Sequence, residues 1–238
     1  MDASQNPLVQ WLNKAFNLAK IHKNLVISIS CGVLIFGLIF VGYIYHKNNV
    51  EINAHRDFIQ ALEVFNASVK QISDKTPENI TFATEKEKWE SVSKQFYESY
   101  KDNKSSSIAP MFQAFQSEAL INLGKLEEAI SSLAKSIKDM PKGYLKEYYH
   151  VKYALMQLDS KDEKHNTEGL KTLEKFALNQ KCLVHDQATY YLGLYFWITK
   201  KFDAAKNYWQ QFLVKYGDSK HLESQIRFVR SNLDLVTV

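Results

Sequence analysis

Hydrophobic and polar positions along the chain follow two regimes. From Leu25 to Tyr45 no charged residue interrupts "LVISISCGVLIFGLIFVGYIY", and the apolar character runs all the way round the helix this stretch predicts. Those twenty-one residues at helical rise span roughly 31 Å, about one bilayer hydrocarbon core. From Glu51 the apolar residues instead recur three and four apart, as one buried face of a helix requires. Phe58, Leu62, Phe65 and Val69 form one such stripe, and Trp89, Val92, Phe96 and Tyr100 another. "SDKTPENITFATE" separates these two helices. "DNKSSSIAP" ends the second, with Pro110 placed at the start of the next helix.

The first regime has three readings: a cleaved signal, a lipidation site, or a retained anchor. A secretory signal has a shorter apolar core followed by small residues at a cleavage site. Here "HKNNVEINAHRD" follows Tyr45. "SISCG" around Cys31 has the outline of a lipobox, but most of the apolar residues come after that cysteine. An uncleaved anchor over 25–45 is therefore the expectation, with Tyr43 and Tyr45 in an interfacial belt and His46 and Lys47 just beyond. Before it, residues 1–24 form a tail. "PLVQWLNKAFNLAK" places Leu8, Trp11, Leu12, Ala15, Phe16 and Ala19 on one helical face, which reads as a short amphipathic helix on the membrane surface or as an anchor helix that starts early. Lys14, Lys20 and Lys23 flank the anchor on this side, against Lys47 and Arg56 on the other. That excess of one basic residue favours a cytoplasmic N-terminus.

Residues 46–238 read as helical hairpins. In "APMFQAFQSEALINLGKLEEAISSLAKSIKDMP" Gly124 stops one helix, "KLEEA" starts a second after a minimal turn, and Pro141 closes the unit. The same grammar returns in "DQATYYLGLYFWITKKFDAAKNYWQQFLVKYGDS". There Leu192-Gly193 is the small crossing position, Phe196 and Phe202 are packing aromatics, Ala205 is a tight contact, and Trp209 is a core residue. The pattern resembles the tetratricopeptide repeat, a helix-turn-helix of about 34 residues that buries its faces only by stacking on neighbours. Registered on the turn, the units run over 110–143 and 186–219, with a degenerate unit over 146–178. In that middle unit Ala154 and Gly169 take the small positions. Leu222, Ile226, Val229 and Leu233 predict a capping helix. The fold class expected is all-α: an N-terminal transmembrane helix, then a tetratricopeptide-like hairpin array with a C-terminal cap.

Charge narrows the partners. The net charge is +4, with 30 Lys and Arg against 26 Asp and Glu. Setting aside Lys14, Lys20, Lys23 and Asp2 leaves 27 basic and 25 acidic residues after the anchor. A balance of +2 supplies no long-range basic field, so nucleic acid is not an expected partner. Cys31 and Cys182 lie in different regions and predict no disulfide.

No metal-binding HExxH or CxxC, no phosphate-cradling Gly-rich loop and no GxSxG occurs. No catalytic, metal or cofactor residue is therefore assigned. His185-Asp186 and His55 near Asp57 read as surface histidines near a helix start. Cys182 near His185 reads as a buried structural thiol, and an enzyme is expected only if that neighbourhood forms a cleft. The sequons at Asn66, Asn79 and Asn103 are short matches that decide nothing. In repeat geometry the inner helices turn some side chains toward a groove. These are expected to be Met111, Ala114, Glu118, Ile121 and Asn122 in the first unit, and Tyr190, Leu194, Trp197 and Ile198 in the last. Such an apolar groove suits an extended or unfolded peptide, or another helix. It lacks the Lys/Asn set with which repeat cochaperones hold a C-terminal carboxylate.

The layout of short basic tail, single anchor and tetratricopeptide-like helices resembles the YfgM-type proteins, ancillary subunits of the bacterial SecYEG translocon. The resemblance implies a single-pass inner-membrane protein with a periplasmic domain. It would bind the translocon, a periplasmic chaperone and unfolded clients, and help hand over newly translocated chains. The irregular middle unit departs from the pattern. The alternative is a tetratricopeptide-type scaffold of envelope assembly or cell division, which "KYGDS" at Lys215 fits through its likeness to Tyr-Pro-x-Ser turns.

Overall fold

The structure, a computed structural model, describes residues 7–69 and 80–236. Most of them are helical, and the chain divides into two compact units, Met1–Asn53 and Ala54–Val238.

The first unit holds α1 (Pro7–Ile21) and most of α2 (Lys23–Phe65), with His22 in a turn between them. Trp11 and Phe16 of α1 are exposed. The 43 residues of α2 continue without a break past Tyr45, the predicted end of the anchor. Every residue from Cys31 to Asn49 is exposed, Tyr43 and Tyr45 included. Among the described residues this is the one helix long and apolar enough to cross a membrane, and it lies near the N-terminus.

In the second unit the apolar stripes find partners. Phe58, Leu62 and Phe65 at the end of α2 pack on α3 (Glu85–Asp102) and α4 (Ala109–Asn122). Phe58, Phe65, Phe96, Phe112 and Phe115 contact one another with ring centroids 5.3–6.4 Å apart, mostly edge to face, where the positive ring edge meets the negative face. Val69 does not continue the stripe. The helix stops at Phe65, and Val69 lies in a two-residue strand, β1 (Ser68–Val69), pairing in parallel with β2 (Thr81–Phe82). Residues 70–79, with the second sequon at Asn79, lie outside the described residues. Thr84 then caps α3, its Oγ1 accepting from the Glu87 amide at 3.1 Å, while Glu87 reaches back to the Ala83 amide. Asn103, in the third sequon, is buried. Its amide donates to Asp57 and to the Ser99 carbonyl, both at 2.9 Å.

Three hairpins follow: α4 with α5 (Leu126–Asp139), α6 (Tyr144–Asp159) with α7 (Glu163–Leu178), and α8 (His185–Ile198) with α9 (Phe202–Tyr216). A short 3-10 turn (Lys220–Leu222) leads to α10 (Glu223–Val236). Each helix packs on its successor. Four apolar clusters succeed one another along the chain, so each hairpin closes the core of its neighbours.

The first and last hairpins turn alike. In the first, the Gly124 amide donates to Ile121 O and the Lys125 amide to Leu120 O. In the last, Lys200 donates to Trp197 O and Lys201 to Phe196 O. Both are Schellman ends, which satisfy the final helix carbonyls through one left-handed residue. Gly124 has φ +72° and Lys200 has φ +60°. The middle hairpin differs. Asp162 Oδ1 caps α7 by accepting from the Lys164 amide at 2.8 Å, and Asn166 donates to the carbonyls of Gln157 and Ser160. There α6 and α7 approach so closely that a methyl group on Gly169 would lie 2.6 Å from Ala154 O. Ile226 and Val229 of α10 are buried and Leu233 partly so. Leu222 packs beside them from the 3-10 turn, one element earlier than its assignment to the capping helix.

Candidate functional site

The first helices of the three hairpins, α4, α6 and α8, are linked by side chains. Lys152 of α6 pairs with Glu118 of α4. Burial acts to lower the Lys152 pKa. The hydrogen bond and charge of Glu118 outweigh it and hold the ammonium above its ordinary value. The same ammonium lies 5.3 Å from the Tyr148 ring centroid and 5.8 Å from that of Tyr149, using the negative faces of both. Between α6 and α8, Gln187 donates to the Tyr144 hydroxyl at 3.2 Å.

Where α6, α8, α9 and α10 meet, a cleft of about 170 Å³ opens. Tyr148, Asp186, Tyr190, Tyr191, Phe212 and Gln225 are among its walls. Tyr190 stands edge-on to Tyr191 at 5.2 Å and tilted on Phe212 at 5.8 Å. Burial raises the pKa of both phenols, and for Tyr191 the neighbouring Tyr148 adds to it.

The residues expected to line a groove are spread over different environments. Ala114 is fully buried, and Met111 is partly buried against the same cluster. Glu118 is on the linked face and bound to Lys152. Ile121 and Ile198 are exposed at the ends of their helices, and Asn122 donates to the Glu118 carbonyl. Tyr190, Leu194 and Trp197 pack against Trp209, Phe212 and the buried side of α10. Of the last set only Tyr190 also lines the cleft.

Tyr148, Lys152, Asp186 and Tyr191 fall outside the predicted groove. The runs "YLKEYYHVKYAL" and "TYYLGLYFWIT" hold these tyrosines, and their aromatic side chains also pack against the core clusters. A helix turns about 100° per residue, so a register one residue off picks Tyr190 without Tyr191.

His185 is buried, against the expectation of a surface position. It starts α8, where Val184 and Ala188 are also buried, and its ring is covered by α9. Its Nδ1 lies 2.9 Å from the Tyr216 hydroxyl and 3.4 Å from Thr189 Oγ1. Burial, then Lys215, lowers its pKa. His55 is exposed. Cys182 is half-buried and donates to Glu147 Oε2 at 3.2 Å, and burial with that carboxylate pushes the thiol up to about 11. A thiol held protonated in this way is a poor nucleophile at neutral pH. Among the described residues no group of three His, Cys, Asp or Glu side chains is arranged to hold a metal ion.

No protein-family profile, curated protein or solved structure matches the chain.

Proposed function

We propose that this chain is a membrane-anchored protein-interaction module that assists secretion at the Sec translocon. In this reading α2 crosses the bacterial inner membrane once, with the N-terminus cytoplasmic and the helical domain periplasmic. The hairpins act as a tetratricopeptide-like array. They bind the translocon, a periplasmic chaperone or emerging polypeptides, and act by binding rather than catalysis.

The observation that carries the reading is the contrast inside one chain. A tract from Cys31 to Asn49 is exposed on every side, and apolar surface left in water is unfavourable by about 25 cal/mol per Å². The same chain continues into hairpins whose first helices share a face built of Glu118, Lys152, Tyr148 and Tyr191. The first feature suits a bilayer, and the second an extended polypeptide. The assignment to the translocon rests on the resemblance of the layout to YfgM-type proteins.

Photo-cross-linking tests it. A benzophenone amino acid is placed at Tyr148 or Tyr191 in native membranes, and the adducts are identified by mass spectrometry. Adducts to the translocon channel, to a periplasmic chaperone or to secretory precursors are expected. Adducts confined to outer-membrane assembly or division proteins would replace the translocon by an envelope scaffold. Release of the chain by alkaline carbonate would remove the anchor.

A further inference from the structure

We propose that the cleft between α6, α8, α9 and α10 receives the cationic side chain of an extended partner peptide, arginine in preference to lysine. The inference rests on the interaction-face reading above and names the chemistry that face selects.

Shape sets the first limit. At about 170 Å³ the cleft is below the 300–1,000 Å³ of a small-molecule pocket, and it suits one long side chain. Its walls set the second. Tyr148, Tyr190 and Tyr191 bring aromatic rings to it above the fully buried Phe212, and ring faces attract a cation. The protein already uses one of these rings in this way, with Lys152 over Tyr148.

Charge sets the third. Lys152 is matched by Glu118. Glu147 is occupied by the Cys182 thiol and the Leu183 amide. Lys215 donates to Gln180 O and lies over Tyr216. Asp186 is different. It is half-buried in the first turn of α8 and lines the cleft, and among the described residues its carboxylate has no hydrogen bond or ion pair. A carboxylate beside aromatic rings is the group that a guanidinium completes, stacking its plane on a ring and donating two parallel hydrogen bonds. Lysine brings the charge without the plane. Gln187 and Gln225 also line the cleft, the first with its amide donating to Tyr144 and the second with its amide oxygen accepting from Ser224.

The test uses the full chain in lipid nanodiscs and fluorescein-labelled peptides of one extended frame. The central residue is arginine, lysine, citrulline or norleucine, and binding is followed by anisotropy. Citrulline keeps the shape of arginine and removes its charge. The arginine peptide is expected to bind at least tenfold more tightly than the citrulline peptide, with lysine between them. Asp186→Asn is expected to erase that preference while leaving citrulline binding within twofold. Equal affinity for all four peptides would overturn the inference and leave the interaction face standing. No binding of any peptide at millimolar concentration would overturn both. Displacement of the arginine peptide by micromolar free agmatine would overturn the peptide assignment in favour of a small cation.

Discussion

The first and last hairpins solve one packing problem with different side chains. Registering them on Gly124 and Lys200 places Ala129 opposite Ala205, both fully buried, Ser117 opposite Gly193, and Leu133 opposite Trp209. In the first hairpin the corresponding positions hold a buried leucine and a buried serine. In the last the indole of Trp209 lies against a glycine, and a methyl group on Gly193 would fall 2.1 Å from Trp209 Cδ1. Both also tie the second helix to a carbonyl of the first. Ser132 and Ser136 donate to Gln113 O and Pro110 O, and Trp209 Nε1 donates to Tyr190 O at 3.3 Å. The last hairpin places the bulk on its second helix and a glycine on its first, whereas the first hairpin has side chains on both. Close packing penalises voids and overlaps alike.

The kinship of the two hairpins breaks hardest at this buried crossing. Trp209→Ala removes a fully buried indole and its hydrogen bond, and is expected to cost about 3–5 kcal/mol, read as a lower urea midpoint of the full chain in detergent. Gly193→Ser forces the indole aside and is expected to cost about 1–3 kcal/mol. Adding Trp209→Leu copies the first hairpin's pair into the last. A coupling of about 1–3 kcal/mol in the double-mutant cycle is expected, and additive losses would show that the two crossings are unrelated.

The turns give a smaller and oppositely signed pair. Lys200 takes the left-handed position that Gly124 takes without a Cβ penalty, a cost of about 1 kcal/mol for an ordinary residue. Lys200→Gly should stabilise the chain by about 0.5–1 kcal/mol, and Gly124→Ala should destabilise it by a similar amount. Both are readable as shifts in melting temperature.

The smallest effect concerns pH. His185 folds with its pKa below the ordinary value, so the unfolded chain binds a proton more readily. The stability it supports is present above the unfolded pKa of about 6.5 and is lost as pH falls through that value towards the folded one. His150, lowered by burial and then by Lys146 and Lys175, acts in the same direction. Urea midpoints at about pH 8 and about pH 5.5, on either side of the unfolded value, should differ less in His185→Gln than in the parent. The remaining difference should shrink in the double variant with His150→Gln. An unchanged difference would remove both histidines from the pH response.

Much of this was legible in the chain. Periods of three and four marked the helices, Gly124 and Pro110 marked ends, and Ala129, Ala154, Gly169, Gly193 and Ala205 fit the places where helices cross. The last turn is harder to read because Lys200 is not a turn residue by type. Its left-handed conformation follows from two helices already held at a fixed separation. Val69 escapes the pattern because a helix stripe continues on paper whether or not the backbone turns away. His185 escapes it for a related reason: its own helix says nothing of Tyr216, which lies on α9.

The sequence by itself determined where apolar surface must be hidden, since hydrophobic periodicity is a local property of each segment. It therefore marked both the uniformly apolar tract of α2 and the one-sided helices after it. Only the tertiary structure decided which residues lie beside which. The cleft joins Tyr148, Asp186, Phe212 and Gln225 from four elements, and among the described residues Lys152 is paired with Glu118 while the Asp186 carboxylate has no ion pair. Such neighbourhoods depend on the rotation and spacing of whole helices, and these are fixed by packing summed over many residues rather than by any single segment.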